Sequence, residues 1–414
     1  MEDYHMTDGT AETSAQLDEQ TQTATDPLRR SPMYEHQRSL DAEFAGLGDW
    51  KSPNWYGANQ DLDAAYDGPE GEDLSLRQAV EHRHVREHVG LYDLTPFTPI
   101  EVRGPSADSF LQKRLANDMA IDVGEMRYTT MLNEDGGIQA DLTVVRMSDE
   151  RFLVITLGVA TGRQHAAWIR EYAPTDVDVV NRGDEYCGVG VWGPKARDVL
   201  ESVTNADLSN DAFPYYSARE LVVDEVPVTA LRLSYVGELG WELWTPMGYG
   251  AQLWETLAGA AEDHDGIAMG TAALNSMGLE KGFRFWGADI TPDRNPYEAN
   301  LAFTVDMATD FVGKDAIEAA RDAGVDERLV PITLDDSRAI PGYDATFLDS
   351  DTELGGAVRS DFGYSVDESI LYGYLPTDYA EAGTPVDVAV DDERYAATVR
   401  DEPRFDPDRE KLLR

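Results

Sequence analysis

The sequence predicts an α+β protein that ends in a small β-barrel, and three observations lead there. Between Ser31 and Ala323, short strand-like runs mix with amphipathic helical stretches, without the regular strand–helix–strand repeat of a parallel sheet. A strand, a Gly-Pro pair and an amphipathic helix follow one another twice in the same order. After Asp326 the helical period vanishes, and short apolar runs broken by Gly, Pro and Asp continue from Leu329 through Val399.

Taken in order, residues 1–30 are rich in Thr, Gln, Ala and acids, show no hydrophobic period, and are expected to be a disordered leader. Residues 31–325 form the α+β region, read as two subdomains, and residues 326–414 the barrel domain. Strands are expected over Ile100–Val102, Leu142–Val145, Phe152–Thr156 and Val226–Leu233, and helices over Leu76–Val89, Gly162–Tyr172 and Gly250–Ala261. The repeated passage is Ile100-Glu-Val-Arg-Gly-Pro-Ser-Ala-Asp-Ser-Phe-Leu111 and Val189-Gly-Val-Trp-Gly-Pro-Lys-Ala-Arg-Asp-Val-Leu200. Proline suits a first helical turn, where its missing N–H would have no partner. Two unrelated turns would read alike; a duplicated α+β unit is the expectation.

Composition narrows the partners. The 414 residues carry 34 basic and 79 acidic side chains, a formal net charge of −45. Spread over a folded surface of about 16,000 Å², this is roughly one uncompensated negative charge per 350 Å². Such a field repels phosphate backbones and anionic headgroups, which excludes nucleic acid and membrane surfaces as partners. The chain is still 42% hydrophobic with eight Trp, enough apolar material for a core. Only six of the basic residues are Lys. This is expected of a halophilic-type surface working in molar salt, where self-repulsion is screened. A lone Cys187 cannot form an intrachain disulfide, and no apolar run is long enough to span a bilayer. Without a secretory signal pattern, a cytoplasmic location is expected.

Two motif matches dissolve on inspection. Gly188-Val-Gly190-Val-Trp-Gly193 fits a dinucleotide fingerprint only formally, since Gly193 precedes Pro194 at a helix start and Leu208–Ala212 reads as a loop where the acidic strand end should be. His84-Val-Arg-Glu87-His88, with His82 beside it, matches an inverted zinc-peptidase pattern, but no downstream Glu stands out as a third ligand. These read as surface histidines on a solvated helix, Cys187 reads as a small buried hydrophobe, and no metal site is expected.

Two other segments carry more chemistry. In Gly136-Gly-Ile-Gln-Ala-Asp141-Leu-Thr-Val, a strand leaves a Gly-Gly turn with Leu142 and Val144 on one face and Asp141 and Thr143 on the other. A mid-strand carboxylate either faces water or has a task. In Ser234-Tyr235-Val-Gly237-Glu238-Leu-Gly240-Trp-Glu242, two glycines and two acids interrupt a strand-like pattern, as they do where a ligand approaches the backbone.

From Ser31-Pro-Met-Tyr-Glu-His to Pro403-Arg-Phe-Asp-Pro, through these segments, Val85-Arg-Glu-His-Val-Gly-Leu-Tyr-Asp93 and Gly278-Leu-Glu-Lys-Gly-Phe-Arg-Phe-Trp-Gly287, the chain resembles the aminomethyltransferase (glycine cleavage T-protein) family. It is most similar to the folate-binding C-terminal portion of dimethylglycine and sarcosine dehydrogenases. The resemblance implies a three-domain ring around a tetrahydrofolate site, with the barrel as third domain. It places Asp141 on the catalytic aspartate, Tyr128 on a pocket tyrosine, and Glu238 on an acid that takes the pterin's adjacent N–H donors, with Tyr235 and Glu242 on the same element. Thr156 stands where relatives commonly place a pterin-binding Asn, and Leu274 and Gly278 replace two usual arginines. Arg284, Arg359 and Arg400 are candidates for the anionic folate tail. The implied activity is one-carbon (aminomethyl or methylene) transfer from an amine-type donor. The resemblance also implies a separate flavoprotein dehydrogenase or lipoyl carrier protein as partner, because the flavin domain of the dehydrogenases has no counterpart in the leader. A folate-dependent S- or O-demethylase and a non-catalytic folate-binding module are the alternatives; the latter's Lys-Gly-Cys-Tyr signature is replaced here by Lys281-Gly-Phe-Arg.

The charge reading has a direct check. The thermal midpoint is expected to rise steeply from dilute buffer to multimolar KCl, and an equal or higher midpoint in dilute buffer would contradict salt adaptation.

Overall fold

The two Gly-Pro turns each open a structural repeat. The computed structural model describes residues 28–62, 74–156, 158, 160–335, 339–391 and 393–414, so the expected leader falls almost wholly outside the described residues. A short helix, Tyr34–Ser39, precedes a hairpin of β1 (Ala42–Leu47) and β2 (Trp50–Tyr56), and the helix Leu74–Glu87 leads into β3 (Gly90–Asp93). The first repeat runs β4 (Thr98–Arg103), helix Ala107–Arg114, β5 (Met126–Leu132), β6 (Ile138–Ser148), β7 (Arg151–Thr156), helix Ala160–Glu171 and β8 (Asp178–Asn181). The second runs β9 (Tyr186–Trp192), helix Ala196–Val203, β10 (Ala218–Val223), β11 (Val226–Leu231), β12 (Gly240–Pro246), helix Gly250–Glu262 and β13 (Ile267–Ala268).

Sheet order repeats as well. The sheets are β5-β6-β7-β4-β8 and β10-β11-β12-β9-β3-β13, so the strand before each Gly-Pro turn flanks a three-stranded meander, and β3 is inserted only in the second. The sequence echo is the visible part of this duplication. At the turns, Gly104 and Gly193 take φ of +139° and +137°. A Cβ there would lie 1.9 Å from the Asp176 carbonyl oxygen or 2.4 Å from that of His88. The prolines differ from expectation: Pro105 and Pro194 lie in turns closed by Ala107 N–H to Gly104 O and Ala196 N–H to Gly193 O, both 3.0 Å, and the helices start only at those alanines.

Helices cover the outer face of each sheet. Leu142, Val144 and Val154 pack against Phe110, Leu111 and Ile169, while Val189, Val191, Trp241 and Leu243 pack against Val199, Leu200, Leu253 and Leu257. The inner faces meet each other. Met126, Val145 and Ile155 from the first sheet share a core with Trp192, Leu231 and Trp244 from the second, and with Met277 of the helix Thr271–Glu280. A main-chain bridge between Glu125 and Ser217, with Ala218 N–H donating to Gly124 O at 2.7 Å, stitches the two sheets at this seam.

After the helix Lys314–Ala323, the barrel is formed by β14 (Glu327–Leu334), β15 (Thr346–Asp349), β16 (Thr352–Gly363), β17 (Glu368–Pro376), β18 (Pro385–Val390) and β19 (Glu393–Val399). It closes in the order β14-β17-β16-β15-β18-β19 around Ile332, Phe347, Leu371 and Val388. Among the described residues, no helix is long and apolar enough to cross a membrane.

Gly104→Ala and Gly193→Ala should each destabilise the fold by about 3 kcal/mol or more, because backbone atoms block the new methyl. Gly383→Ala, at φ +93° with nothing within 4 Å, should cost only about 1 kcal/mol. Urea unfolding of the three variants checks this, and equal costs would remove the clash argument.

Candidate active site

Asp141 leaves β6 on the inner face of its sheet. Tyr128 pairs with Thr143, and Thr130 with Asp141, across β5 and β6, so the Tyr128 phenol reaches diagonally to Asp141 and donates to its Oδ2 at 2.9 Å. Along β6, Val145 belongs to the core between the sheets, and Thr143 and Asp141 continue the same side toward its polar edge. Burial pushes the Asp141 carboxyl up to about 6; the Tyr128 hydrogen bond works against this, and the charge of Asp289 adds to it. The phenol of Tyr128 is raised well above its usual range by burial and by Asp141, so it stays a donor.

The second sheet answers from the opposite side. The expected strand Val226–Leu233 ends at Leu231, and residues 232–239 form an irregular segment before β12 begins at Gly240. From there the period of two puts Glu242 on the same side as Trp244, facing the inter-sheet core and therefore the sheet of Asp141. Glu242 is buried, its polar partner among the described residues being Trp244 Nε1 at 3.3 Å, and burial lifts its carboxyl to about 7. Tyr235 packs against the same core, its hydroxyl donating to Arg284 O at 3.1 Å. Its phenol is pushed up to about 12, chiefly by burial and further by Asp289 and Asp141.

Glu238, the acid expected at the pterin, keeps Oε2 without a hydrogen-bond partner among the described residues. It is fully buried in the irregular segment beside Arg86, 3.4 Å from Nη1 to Oε1. Arg86 also donates to Val236 O at 2.5 Å, to Glu280 Oε2 at 2.9 Å and to Ser365 Oγ at 2.9 Å, with Phe405 stacked 3.6 Å away. The helix Leu74–Glu87 is accordingly not the solvated helix the charge pattern suggests. Glu81, His82 and Arg86 are buried because each finds partners: His82 bonds Ser276, Ser365 and Glu280. Only His84 and His88, stacked on each other at 4.5 Å, are partly exposed as expected.

Four other candidates are tied into the scaffold. Ile155 pairs with Thr143, so the next residue, Thr156, leaves the opposite face of the sheet from Asp141, and it bonds His165 Nδ1 at 2.6 Å beneath the covering helix. Arg284 is bidentate to Glu402 at 2.7 and 2.9 Å and donates to Ala299 O and Gly282 O. Arg359 pairs with Asp289 at 3.2 Å and donates to Phe283 O. Arg400 lies on the barrel wall between Thr333 and Asp335. Of these arginines, Arg359 ties the barrel to the ring through Asp289 and Phe283, and Arg284 ties the ring to the C-terminal segment through Glu402, whereas the contacts of Arg400 stay within the barrel.

The sequence reading missed Arg86, Asp289 and Tyr216. Arg86 was inside the histidine motif, and Asp289 lies two residues beyond the quoted Gly278–Gly287 stretch; Tyr216 gave no signal beyond the pair Tyr215-Tyr216. Cys187 is buried in the core beneath the second sheet, as its apolar context suggests.

Comparison with known proteins places this geometry. Residues 33–309 match the GCVT N-terminal domain, and residues 327–406 the glycine cleavage T-protein C-terminal barrel domain. Mouse mitochondrial dimethylglycine dehydrogenase is 34% identical over 86% of this chain and 41% of its own length. The 4-methylaminobutanoate oxidase (formaldehyde-forming) of Paenarthrobacter nicotinovorans is 32% identical over 93% of this chain and 47% of its own. The chain thus spans less than half of these relatives. The aminomethyltransferase of Saccharopolyspora erythraea is 30% identical over 87% of this chain and 94% of its own. Among solved structures, the glycine cleavage system aminomethyltransferase T of Bartonella henselae superposes with a TM-score of 0.80 at 27% identity, covering 92% of this chain and 99% of that one.

Tyr128→Phe removes the hydrogen bond that favours the ionised carboxylate. The Asp141 titration should therefore move above 6, by about one pH unit, in a carboxyl ¹³C NMR titration where Asp141→Asn identifies the signal. A midpoint that stays or falls would deny the bond its electrostatic role.

Proposed function

The chain belongs to the glycine cleavage T-protein (aminomethyltransferase) family, and on that premise we propose that it is a tetrahydrofolate-dependent one-carbon transferase taking a methylene or aminomethyl unit from an amine-type donor. The observation that carries this reading is a pair of raised carboxyls, Asp141 and Glu242, on the facing inner sides of two sheets. The residues fit a pterin: Glu242 has acceptor positions left beside its Trp244 bond among the described residues, and the pterin edge offers adjacent N–H donors. Within the notion of a folate site, Glu242 takes the role first expected of Glu238, whose charge is matched by Arg86 instead.

Tetrahydrofolate supplies nucleophilic amines that capture a one-carbon unit. What the chain contributes is position and a proton acceptor. Asp141 is ionised above about pH 6 and can hold the proton released at an attacking amine, while Tyr128 fixes the carboxylate through Oδ2. Glu242 and Tyr235 would hold the ring that carries the amine and so limit its freedom before reaction. The names of the dehydrogenase and oxidase relatives, dimethylglycine and 4-methylaminobutanoate, are of N-methylated amines, and they support a donor of that class. A flavoprotein dehydrogenase or a lipoyl carrier protein would deliver the unit.

Asp141→Asn should abolish turnover while changing tetrahydrofolate affinity by no more than a few-fold. It should also stabilise the protein. A carboxyl raised from 3.8 to about 6 is favoured protonated in the fold, so its ionisation costs stability progressively as pH rises through 4 to 6 and fully above. Above pH 7 the variant should therefore gain about 1–3 kcal/mol in urea unfolding. Full activity in this variant would remove Asp141 from the mechanism.

A further inference from the structure

Across β5 and β6, Met131 pairs with Ala140 and Leu132 with Ile138, so Gln139 is an extra residue that the ladder skips. Such bulges gather beside active sites, where they re-aim a side chain. The backbone here is held without help from that side chain: Ile138 N–H donates to Arg294 O at 2.9 Å, Ile138 O accepts from Trp286 Nε1 at 3.1 Å, and a Cβ at Gly137 would lie 1.8 Å from Pro292 O. The carboxamide is left over. Its Oε1 is buried, yet it has no hydrogen-bond partner among the described residues. A buried carbonyl oxygen without a donor destabilises the fold, which an apolar side chain at the same place would not do.

The strand's phase says where this oxygen stands. Ile138, Ala140, Leu142 and Val144 are buried on one face of β6, and Gln139, Asp141 and Thr143 alternate with them on the other. Val145 lies in the core between the sheets, so Gln139 is on the opposite side of Asp141 from that core, about 6–7 Å further along the strand. Glu242 and Tyr235, read above as holding the folate ring, are on the core side. A donor that meets the ring at Asp141 therefore arrives from the side of Gln139. The charges of Asp141 and Asp289 make this place negative, which suits a cationic nitrogen. A third carboxylate would disfavour the ionised form of Asp141 still more, whereas a carboxamide adds an acceptor without a charge.

We propose that Gln139 is a specificity-determining residue for the amine donor, its Oε1 accepting a hydrogen bond from the N–H of a cationic donor nitrogen and so disfavouring a nitrogen that carries carbon in every position. This rests on the one-carbon transfer reading above. Charge alone cannot make that distinction, because both kinds of nitrogen are cations; a directional acceptor can.

The test compares two cations of equal charge and nearly equal size, trimethylammonium, which has one N–H, and tetramethylammonium, which has none. Each is titrated by ¹H NMR into the protein saturated with 5-formyltetrahydrofolate, a stable folate, in buffered KCl. The natural chain should bind trimethylammonium about tenfold more tightly, the range of one hydrogen bond to a charged group. Gln139→Leu should reduce this preference to about twofold or less, and Gln139→Glu, which keeps an acceptor, should retain it while tightening both cations. Folate affinity, measured by calorimetry, should stay within about threefold in both variants. A preference that survives in Gln139→Leu would overturn the proposal, since another acceptor would then be responsible. Two cations that bind the natural chain equally, or not at all, would overturn it as well. A loss of folate affinity in Gln139→Leu of about tenfold or more would assign the carboxamide to the folate instead of the donor, and a lowered melting midpoint with an unchanged cation preference would assign it to the scaffold. No binding of 5-formyltetrahydrofolate by the natural chain would overturn the folate reading itself, and this inference with it.

Discussion

The guanidinium of Arg86 is the constraint on which the assembly depends. It comes from the helix before β3, holds the carbonyl of Val236 and the carboxylate of Glu238 in the segment leading to β12, reaches Glu280 at the end of the helix Thr271–Glu280, bonds Ser365 in the barrel hairpin and stacks on Phe405. One planar group therefore touches the segment leading to β12, the helix Thr271–Glu280, the barrel and the C-terminal segment. Lysine could not replace it, because a single ammonium cannot face three directions in one plane. Glu280 is kept ionised despite its burial by His82, Arg86 and the Ser365 N–H, whereas burial draws the His82 proton away. Removing the guanidinium would leave two buried carboxylates facing each other, which is how such clusters become indispensable without adding much net stability.

That clamp matters to the site because Tyr235 adjoins Val236, and Glu242 follows on the strand that the irregular segment feeds. The first sheet supplies Asp141 from a regular strand, fixed by register. The second supplies Tyr235 from a segment without a ladder of its own, fixed by a side chain from elsewhere. The two halves of a duplicated fold have thus specialised: one carries a carboxylate on a rigid meander, the other a carboxylate and an aromatic group at the edge of an anchored loop. Their junction is the inter-sheet seam, where the apolar core gives way to polar side chains.

Much of this was legible in the sequence, and the misses share a cause. Asp141 was legible because a strand's phase is local: Leu142 and Val144 declare the buried face, and Asp141 must take the other. Which of Glu238 and Glu242 faces the inter-sheet core was not, because it depends on where β12 begins, and that is set by the pairing of Gly240 with Trp192 on a strand far away in sequence. The placement of Thr156 away from the face of Asp141 turns on a similar detail, since a single step along β7 reverses the face. The helix Leu74–Glu87 looked solvated because a buried charge differs from an exposed one only in having partners, and those of Arg86 and His82 come from three remote segments. The repeat and the barrel, being local patterns of period and punctuation, were readable in outline.

The composition takes on a second meaning in this light. The scarcity of Lys beside Arg was read as a property of the surface. Yet Arg86, Arg232, Arg284 and Arg359 are all buried, each held by carbonyl or carboxylate oxygens in fixed directions. An interior that joins three layers through polar groups needs forked donors, and guanidinium is the side chain that supplies them. Surface charges and these buried pairs respond to salt in opposite ways. Ions screen the acidic exterior and relieve its repulsion, but they do not enter the buried pairs, which keep their full strength. The same chain can therefore carry a net charge of −45 outside while its interior is organised by cations.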